Sequence, residues 1–312
     1  MEKLDKLKKI VITGGSGQVG SKLKELTDSF PAHIYYPSSL ELNLEDNLSV
    51  TQYLNKISPH LIVNLAAYTD VDRSEVDMSK AKSINSNAVK VIADYCCKNN
   101  IGIIHLSTDY VFDNQLEPHK PFSKKNPLNF YGLTKSLGED SIINSTQNYL
   151  IIRTASVFSD IGKNFVRTML KLILDDQKIR VIHNQKISLT YAGDIANFVF
   201  YFIKVYFSEG KFNKLKNKII HFTNKGFTTW SLVARSIYDE VINLNIDTKA
   251  ELFDIDSDSW VSEAQRSNDS RLWIDENWLE ENFEIFEWKD RVKKVISDLI
   301  PLIKKELNNE KK

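Results

Sequence analysis

Short apolar runs alternate with stretches of helical periodicity through the first half of the chain. Ile10-Val11-Ile12 is a β-branched run that stops at a glycine-rich turn, after which Gln18 to Thr27 predicts a helix. Ile34-Tyr35-Tyr36 predicts a second strand ending at Pro37-Ser38-Ser39, and Leu48 to Ile57 predicts a helix stopped by Ser58-Pro59. Leu61 to Leu65 is apolar without alternation, as expected of a strand buried on both faces. A long helix is predicted from Ala81 to Asn99, a fourth strand from Ile103 to Leu106, a helix within Leu128 to Ile143 and a fifth strand from Tyr149 to Arg153. Strands alternating with helices of this length build βαβ units and a parallel sheet.

Beyond residue 155 the alternation weakens. Helices are predicted over Asn164 to Leu174, Asp194 to Tyr206, Trp230 to Ile242 and Trp288 to Leu307, and strands over Ile179 to Ile182 and Ile219 to Phe222. No internal repeat and no low-complexity segment is present.

Composition narrows the function classes. Hydrophobic residues at 42% and charged residues at 26% are ordinary for a folded globular chain and argue against global disorder. Lys plus Arg equals Asp plus Glu at 41 each, so no net field draws nucleic acid or an anionic membrane. Cys96 and Cys97 are neighbours on a helical pattern, which makes neither a staple nor a metal site; they read as thiols of a reducing compartment. The lysine-rich stretch Met1 to Lys9 is followed by no apolar signal core. The longest apolar stretch, Ile195 to Phe207, contains Asn197 and Lys204 and falls short of the about 20 residues a bilayer needs, so it predicts a buried core helix. A cytoplasmic location is expected, with no nucleic acid, membrane or metal partner.

The turn after the first strand carries the first candidate chemistry. Gly14-x-x-Gly17-x-x-Gly20 opens the first helix. In a dinucleotide site the first glycine permits the tight turn, the second lets the backbone approach a pyrophosphate, and the third lets the helix pack on the sheet. The helix N-terminus then offers unpaired N–H groups to the anion. The fold class that follows is α/β, a Rossmann-type doubly wound parallel sheet. The end of the second strand, where an acid often binds the ribose 2′-hydroxyl of NAD, holds Ser38 and Ser39. The absence of a carboxylate there tilts the expected cofactor toward NADPH, with NADH still open, since neither serine is a strong phosphate anchor.

Tyr131 and Lys135 stand four residues apart, on one face of a helix. An ammonium beside a phenol is expected to lower the phenol's pKa from about 10. A phenol tuned in that way can give a proton to the alkoxide formed as hydride reaches a carbonyl. Ser107-Thr108 closes the fourth strand, and in a parallel sheet the C-terminal strand ends face the ligand crevice. A hydroxyl there can bond a substrate carbonyl and steady the tyrosine.

With these residues in place, the chain resembles the extended short-chain dehydrogenases, and more narrowly the dTDP-4-dehydrorhamnose reductases. The likeness rests on the glycine turn, Asn64-Leu-Ala-Ala-Tyr-Thr69, Ser107-Thr-Asp-Tyr-Val-Phe-Asp113, Pro127 to Lys135, Arg153 to Phe158, Lys163 to Leu170 and Arg266 to Leu272. It implies reduction of a 4-keto group on a nucleotide-linked 6-deoxyhexose. Gly17, Gln18 and Val19 would meet the cofactor phosphates, Asn43 and Leu44 the adenine, and Ala67, Tyr68 and Thr69 the rest of the cofactor. Thr108, Asp109 and Tyr110 would face the sugar, with Tyr131 as proton donor and Lys135 serving both cofactor and tyrosine. Residues 1–155 would form the dinucleotide-binding domain and 156–312 mainly a smaller α/β substrate-binding region, with a segment about 190–225 returning to the first. The expected partner is a nucleotide-sugar substrate, and a homodimer is an allowed assembly.

Three departures bear on the substrate. The family usually has tryptophan where this chain has Ser156, a Gly-Ala/Thr-Pro-Thr segment where it has Lys186-Ile-Ser-Leu-Thr190, and Arg-Pro where it has Arg266-Ser267. Asn43 also stands where the family usually has Asp. A related dehydratase would need a second acid after Asp109, where Tyr110 stands. An epimerase shares Tyr and Lys and stays open. A non-catalytic nucleotide-binding subunit fits poorly with an intact Tyr131, Lys135 and Thr108.

Overall fold

The computed structural model describes residues 8–114, 117–209, 212 and 218–310; Met1 to Leu7 of the lysine-rich stretch lie outside them. Its first half follows the predicted alternation: β1 (Lys8–Thr13), α1 (Gln18–Thr27), β2 (Ala32–Tyr35), α2 (Asn47–Ile57) and β3 (Leu61–Asn64). Then come two short helices, α3 (Val71–Ser74) and α4 (Met78–Lys82), a π-helical turn (Ser83–Asn87), α5 (Ala88–Asn99), β4 (Gly102–Thr108), α6 (Phe130–Ser145) and β5 (Tyr149–Thr154). The second half holds β6 (Val157–Phe158), α7 (Phe165–Leu174), β7 (Lys178–Ile182), β8 (Lys186–Ser188), β9 (Thr190–Tyr191) and α8 (Ala192–Glu209). It ends with β10 (Ile219–His221), β11 (Phe227–Thr229), α9 (Trp230–Asn243), β12 (Glu251–Ile255), α10 (Glu276–Asn282) and α11 (Trp288–Glu310).

Six strands form one parallel sheet in the order β10-β5-β4-β3-β1-β2. The chain runs outward from β1 to β2, then returns to place β3 on the other side of β1. That reversal opens a crevice beyond the carboxyl ends of β1 and β3, where doubly wound sheets bind their ligands. Successive residues of β1 enter different cores, which explains the missing alternation. Ile10 and Ile12 pack with Leu23 of α1 and with Ile195, Phe198 and Phe202 of α8. Val11 packs on the other face with Val50 of α2, Ile92 of α5 and Ile142 of α6. Each fully buried side chain of this size stabilises the fold by roughly 1.5–3 kcal/mol.

The apolar run Ile195 to Phe207 is a core helix, as its length predicts: α8 buries Phe198, Phe202 and Ile203 completely. No described helix is long and apolar enough to cross a membrane. A third core joins α7, α9 and α11 around Leu170, Ile237 and Ile296. It is tied to the sheet layer where Arg291 of α11 clamps Asp194 of α8 through Nε at 2.8 Å and Nη2 at 2.7 Å.

The predicted helix from Ala81 to Asn99 is broken by the π turn. Asn85 is the physical reason. Its Oδ1 accepts from Tyr68 N at 2.8 Å, and its Nδ2 donates to Tyr68 O at 3.0 Å and Thr134 Oγ1 at 3.1 Å. One buried amide therefore fixes the loop after β3 and contacts α6, and the helix widens by a residue to reach both. The short strands β6, β8, β9, β11 and β12 were not predicted. Cys96 is buried and Cys97 exposed, both as free thiols.

Candidate active site

The glycine turn is a cradle that side chains would fill. Gly14 has φ +73°, and a Cβ there would lie 2.7 Å from Ala66 N. A Cβ on Gly20 would lie 2.1 Å from Gly14 O, inside contact distance, so α1 meets the turn only as glycine. Gly17 caps α1 with no side-chain bond, and the first turn holds no acid, so its N–H groups remain available to an anion. This geometry fits a dinucleotide pyrophosphate. Val19 is buried beneath it. Gln18 points elsewhere: its Oε1 accepts from Ser159 Oγ at 2.9 Å and Asn164 Nδ2 at 3.2 Å, which ties the cradle to the N-terminus of α7.

Beyond β2 the chain turns at Ser38, whose carbonyl accepts from Leu42 N at 2.9 Å. Glu41 folds back onto Ser38 and accepts from its N and its Oγ, at 2.9 Å each. Asn43 lies just beyond, its Oδ1 accepting from Glu45 N at 3.0 Å, and Leu44 packs against the core beside α2. On the β3 side, Ala67, Tyr68 and Thr69 follow the strand. Tyr68 is held at its backbone by Asn85 and turns its phenol to Asp77 Oδ2 at 2.8 Å.

Helix α6 carries the chemistry. Asn129 starts it by accepting from Gly132 N at 2.8 Å, while its Nδ2 donates to Gln265 O at 2.8 Å. Tyr131 is buried, with its ring edge-on to Tyr110 at 5.4 Å, and its phenol hydrogen-bonds Thr108. Thr108 Oγ1 donates to Asp109 Oδ1 at 2.9 Å and accepts from Tyr110 N at 3.2 Å, so toward Tyr131 it acts as acceptor. The phenol proton therefore already points into a hydroxyl–carboxylate chain. Burial pushes Asp109 up to about 6, against its bonds from Thr108 and Ser270.

The expected lowering of the Tyr131 pKa is not what the structure shows. Burial raises it, and Asp109 and Tyr110 add to the rise. Lys135 sits one turn on but aims into the sheet, donating to Leu106 O at 2.8 Å and lying 3.3 Å from His105 Nε2. A desolvated ammonium takes the strand carbonyl in preference to a neutral phenol. Burial lowers Lys135 to about 8, with Glu139 acting in the other direction.

Behind Lys135 runs a buried row in strand register: Thr13 of β1 opposite Asn64 of β3, and Asn64 opposite His105 of β4. Thr13 Oγ1 accepts from Ala66 N at 3.2 Å and donates to Asn64 Oδ1 at 2.6 Å, which leaves Asn64 Nδ2 to donate to His105 Nδ1 at 3.0 Å. A neutral His105 then keeps its proton on Nε2, facing Lys135. Burial first, and Lys135 second, hold His105 well below its ordinary pKa. One hydrogen-bonded chain across three strands thus joins the cradle to His105, and Lys135 Nζ lies 3.3 Å beyond it.

A second row supports the first. Arg153 of β5 lies opposite Ser107 of β4 and His221 of β10. Glu139, two turns beyond Tyr131, accepts from Arg153 Nε at 2.8 Å, Arg153 Nη2 at 2.7 Å and Ser107 Oγ at 2.6 Å. Sequence reasoning missed Glu139, Arg153, His105 and Asn64. For Arg153, His105 and Asn64 the signal was a polar residue inside an apolar, non-alternating strand, which a two-sided core does not accept without a partner.

The cleft beside Tyr131 is lined by Asp109, Tyr110, Ser156, Gln185, Trp230 and Arg266. Arg266 grips Asp72 through Nη2 at 2.6 Å and Nη1 at 3.0 Å and also bonds Tyr110, so it closes the cleft as part of a fixed pair. Ser156 adopts φ +43°, a left-handed turn out of β5, and its carbonyl accepts from Thr190 N at 3.3 Å. The structure thus brings Asp109, Tyr110, Ser156 and Arg266 to one cleft, with Tyr131 packed behind Tyr110 and Lys135 aimed into the sheet.

The family model described as the RmlD substrate binding domain matches residues 8–300. The chain belongs to that family. It is an oxidoreductase of the dTDP-4-dehydrorhamnose reductase family, a sugar-nucleotide reductase. A dTDP-4-dehydrorhamnose reductase of Aggregatibacter actinomycetemcomitans is 33% identical over 237 residues, 75% of this chain and 79% of the relative. The spore coat polysaccharide biosynthesis protein SpsK of Bacillus subtilis is 33% identical over 233 residues, 74% of this chain and 79% of the relative. Among solved structures, the Bacillus anthracis dTDP-4-dehydrorhamnose reductase in complex with NADP superposes with a TM-score of 0.83 at 25% identity, covering 94% of this chain and 99% of the other.

Proposed function

We propose that this RmlD-family reductase converts the 4-keto group of a nucleotide-linked 6-deoxyhexose to an alcohol, with dTDP-4-dehydro-L-rhamnose giving dTDP-L-rhamnose as the substrate and product best supported. Polysaccharide assembly is the destination of such a product, as the name of the Bacillus subtilis relative suggests. The observation that carries this reading is the hydrogen-bonded row of Tyr131, Thr108 and Asp109, whose last member lines the cleft.

A reduced nicotinamide dinucleotide, held at the cradle, supplies the hydride. This chain's residues do the rest. Tyr131 Oη hydrogen-bonds the carbonyl oxygen and gives its proton to that oxygen as negative charge develops there, while Thr108, whose own proton is held by Asp109, steadies the phenol. A phenol whose pKa is raised by burial stays protonated until the charge arrives. Lys135, held by Leu106 O, places its positive charge on the same helix face as the phenolate and would bond a ribose hydroxyl. Asp109 orients Thr108 and accepts from a sugar hydroxyl when ionised.

Asp109 gives a pH signature. With its pKa pushed up to about 6 by burial, kcat/KM should rise as pH passes through about 6, because only the carboxylate form accepts both bonds. Asp109→Asn should flatten that limb while lowering the plateau. A limb that persists in the variant would assign it to another group. The function itself is tested by following cofactor oxidation with a panel of dTDP-, UDP- and GDP-linked 4-keto-6-deoxysugars. Oxidation with the dTDP-linked L-sugar is expected to be fastest, and none across the panel would overturn the reading.

A further inference from the structure

The buried row that ends at Lys135 has a direction, and the direction is set at the glycine turn. Ala66 N, packed on Gly14, can only donate, and it donates to Thr13 Oγ1 at 3.2 Å. The Thr13 hydroxyl gives its own proton to Asn64 Oδ1 at 2.6 Å, a separation ordinary for O–H···O and short for N–H···O, which runs from about 2.7 to 3.2 Å. That fixes the Asn64 amide, so Nδ2 is the atom that meets His105 Nδ1 at 3.0 Å and donates to it. A neutral imidazole that accepts at Nδ1 carries its proton on Nε2. Nε2 lies 3.3 Å from Lys135 Nζ, which already donates to Leu106 O at 2.8 Å. All four side chains are buried, and the first three stand at one register in neighbouring strands.

We propose that His105 is a positioning residue for Lys135, locked from Thr13 so that it turns an N–H, and not a lone pair, toward the amine. The proposal rests on reading Lys135 as the cation that serves Tyr131 and the cofactor. A histidine of the opposite tautomer would accept from the ammonium and hold it on the sheet side. This one offers no acceptor there. The ammonium keeps Leu106 O for one proton and has its others left for an acceptor outside the sheet, whereas the neutral amine gains a bond by accepting from Nε2. The row therefore eases loss of the Lys135 proton. Burial acts in the same direction and brings Lys135 to about 8. Glu139, on the same helix, acts against it, and that carboxylate is itself held by Arg153 of β5 and by Lys125. From β4 the titratable group facing Lys135 is His105, and β3 contributes the uncharged amide of Asn64.

The test reads the two side chains directly, by NMR of the full chain with no cofactor or sugar present. Nitrogen-15 histidine shows which ring nitrogen of His105 is protonated, and carbon-13 lysine follows the titration of Lys135 at Cε. His105→Gln and Lys135→Met assign the two signals. The probes are Thr13→Val, which frees Asn64 to turn Oδ1 to His105, and Asn64→Asp, which puts an acceptor there outright. In the wild type the proton is expected on Nε2, with Lys135 titrating at about 8. In both variants the proton should move to Nδ1, and the Lys135 titration should rise by about one pH unit, a tenfold change in the ratio of amine to ammonium. Asn64→Asp adds a charge of its own, so the uncharged Thr13→Val carries the comparison. In turnover the alkaline fall of kcat should move upward with the Lys135 titration. A wild-type proton on Nδ1, or a proton that stays on Nε2 in both variants, would overturn the lock. A Lys135 titration that stays within about 0.3 unit while the proton moves would overturn the action of His105 on the amine. The expected spectra together with no turnover of any sugar nucleotide would instead overturn the reductase reading beneath it.

Discussion

Tyr131→Phe is expected to lower kcat by about 10²–10⁴-fold, the usual contribution of a positioned acid, and to leave dinucleotide affinity within a few-fold of wild type. The substitution removes one oxygen and keeps the ring. That ring packs edge-on against Tyr110 at 5.4 Å, so the wall of the cleft stays in place. Thr108 loses the phenol but keeps its bond to Asp109 and the Tyr110 N–H, so the rest of the row stays in place. What is lost is a proton used only as charge develops on the substrate oxygen, and such a loss appears in kcat more than in KM. Single-turnover rates with saturating sugar nucleotide and cofactor measure it. Near-normal turnover in the variant would remove Tyr131 from the role of proton donor.

Glu139→Gln should be the most destabilising single substitution near the site, by about 3–5 kcal/mol, because it leaves a buried guanidinium without its counter-charge. Arg153 is 2% exposed and Glu139 fully buried. Arg153 has little else to turn to: Pro121 O at 2.9 Å and the Phe112 ring at 4.9 Å. Burial would raise the Glu139 pKa, yet Arg153, Lys125 and Ser107 together hold it below its ordinary value. The sign follows from that direction. A carboxylate whose pKa is depressed by folding contributes stability above its unfolded pKa of about 4.3 and loses it as pH falls below. Thermal melting at neutral pH should show the variant lower by on the order of 10 °C. Glu139→Gln combined with Arg153→Met should recover much of the loss, since no unpaired charge remains. A single variant that melts with the wild type would show that the pair contributes nothing net.

Both residues lie on α6, and only one of them was legible beforehand. Tyr131, Lys135 and the glycine cradle are local patterns: their spacing states which residues share a turn or a helix face. The parallel sheet was legible for the same reason, since runs such as Leu61 to Asn64 are apolar on both faces. Glu139 has no such local mark. Its meaning depends on Arg153 and Ser107, brought to it by strand register. The π turn at Ser83–Asn87 depends on a loop bond from Asn85 to Tyr68 across 17 residues. Strands of two or three residues are set by partners elsewhere: Lys186–Ser188 becomes β8 only because Phe227–Thr229 pairs with it. Lys135 was placed correctly on the helix face, but its aim was set by the Leu106 carbonyl beneath it.

The central claim is net hydride delivery to C4 of a nucleotide-linked 4-keto-6-deoxyhexose, with protonation of the oxygen by Tyr131. Incubating the chain with dTDP-4-dehydro-L-rhamnose and cofactor carrying deuterium at the transferring position, followed by proton NMR of the product, tests it most directly. The account predicts one deuterium at sugar C4, the loss of the H4 signal and one equivalent of oxidised cofactor per product. A product without deuterium at C4, or an altered sugar formed with no net cofactor oxidation, would contradict it.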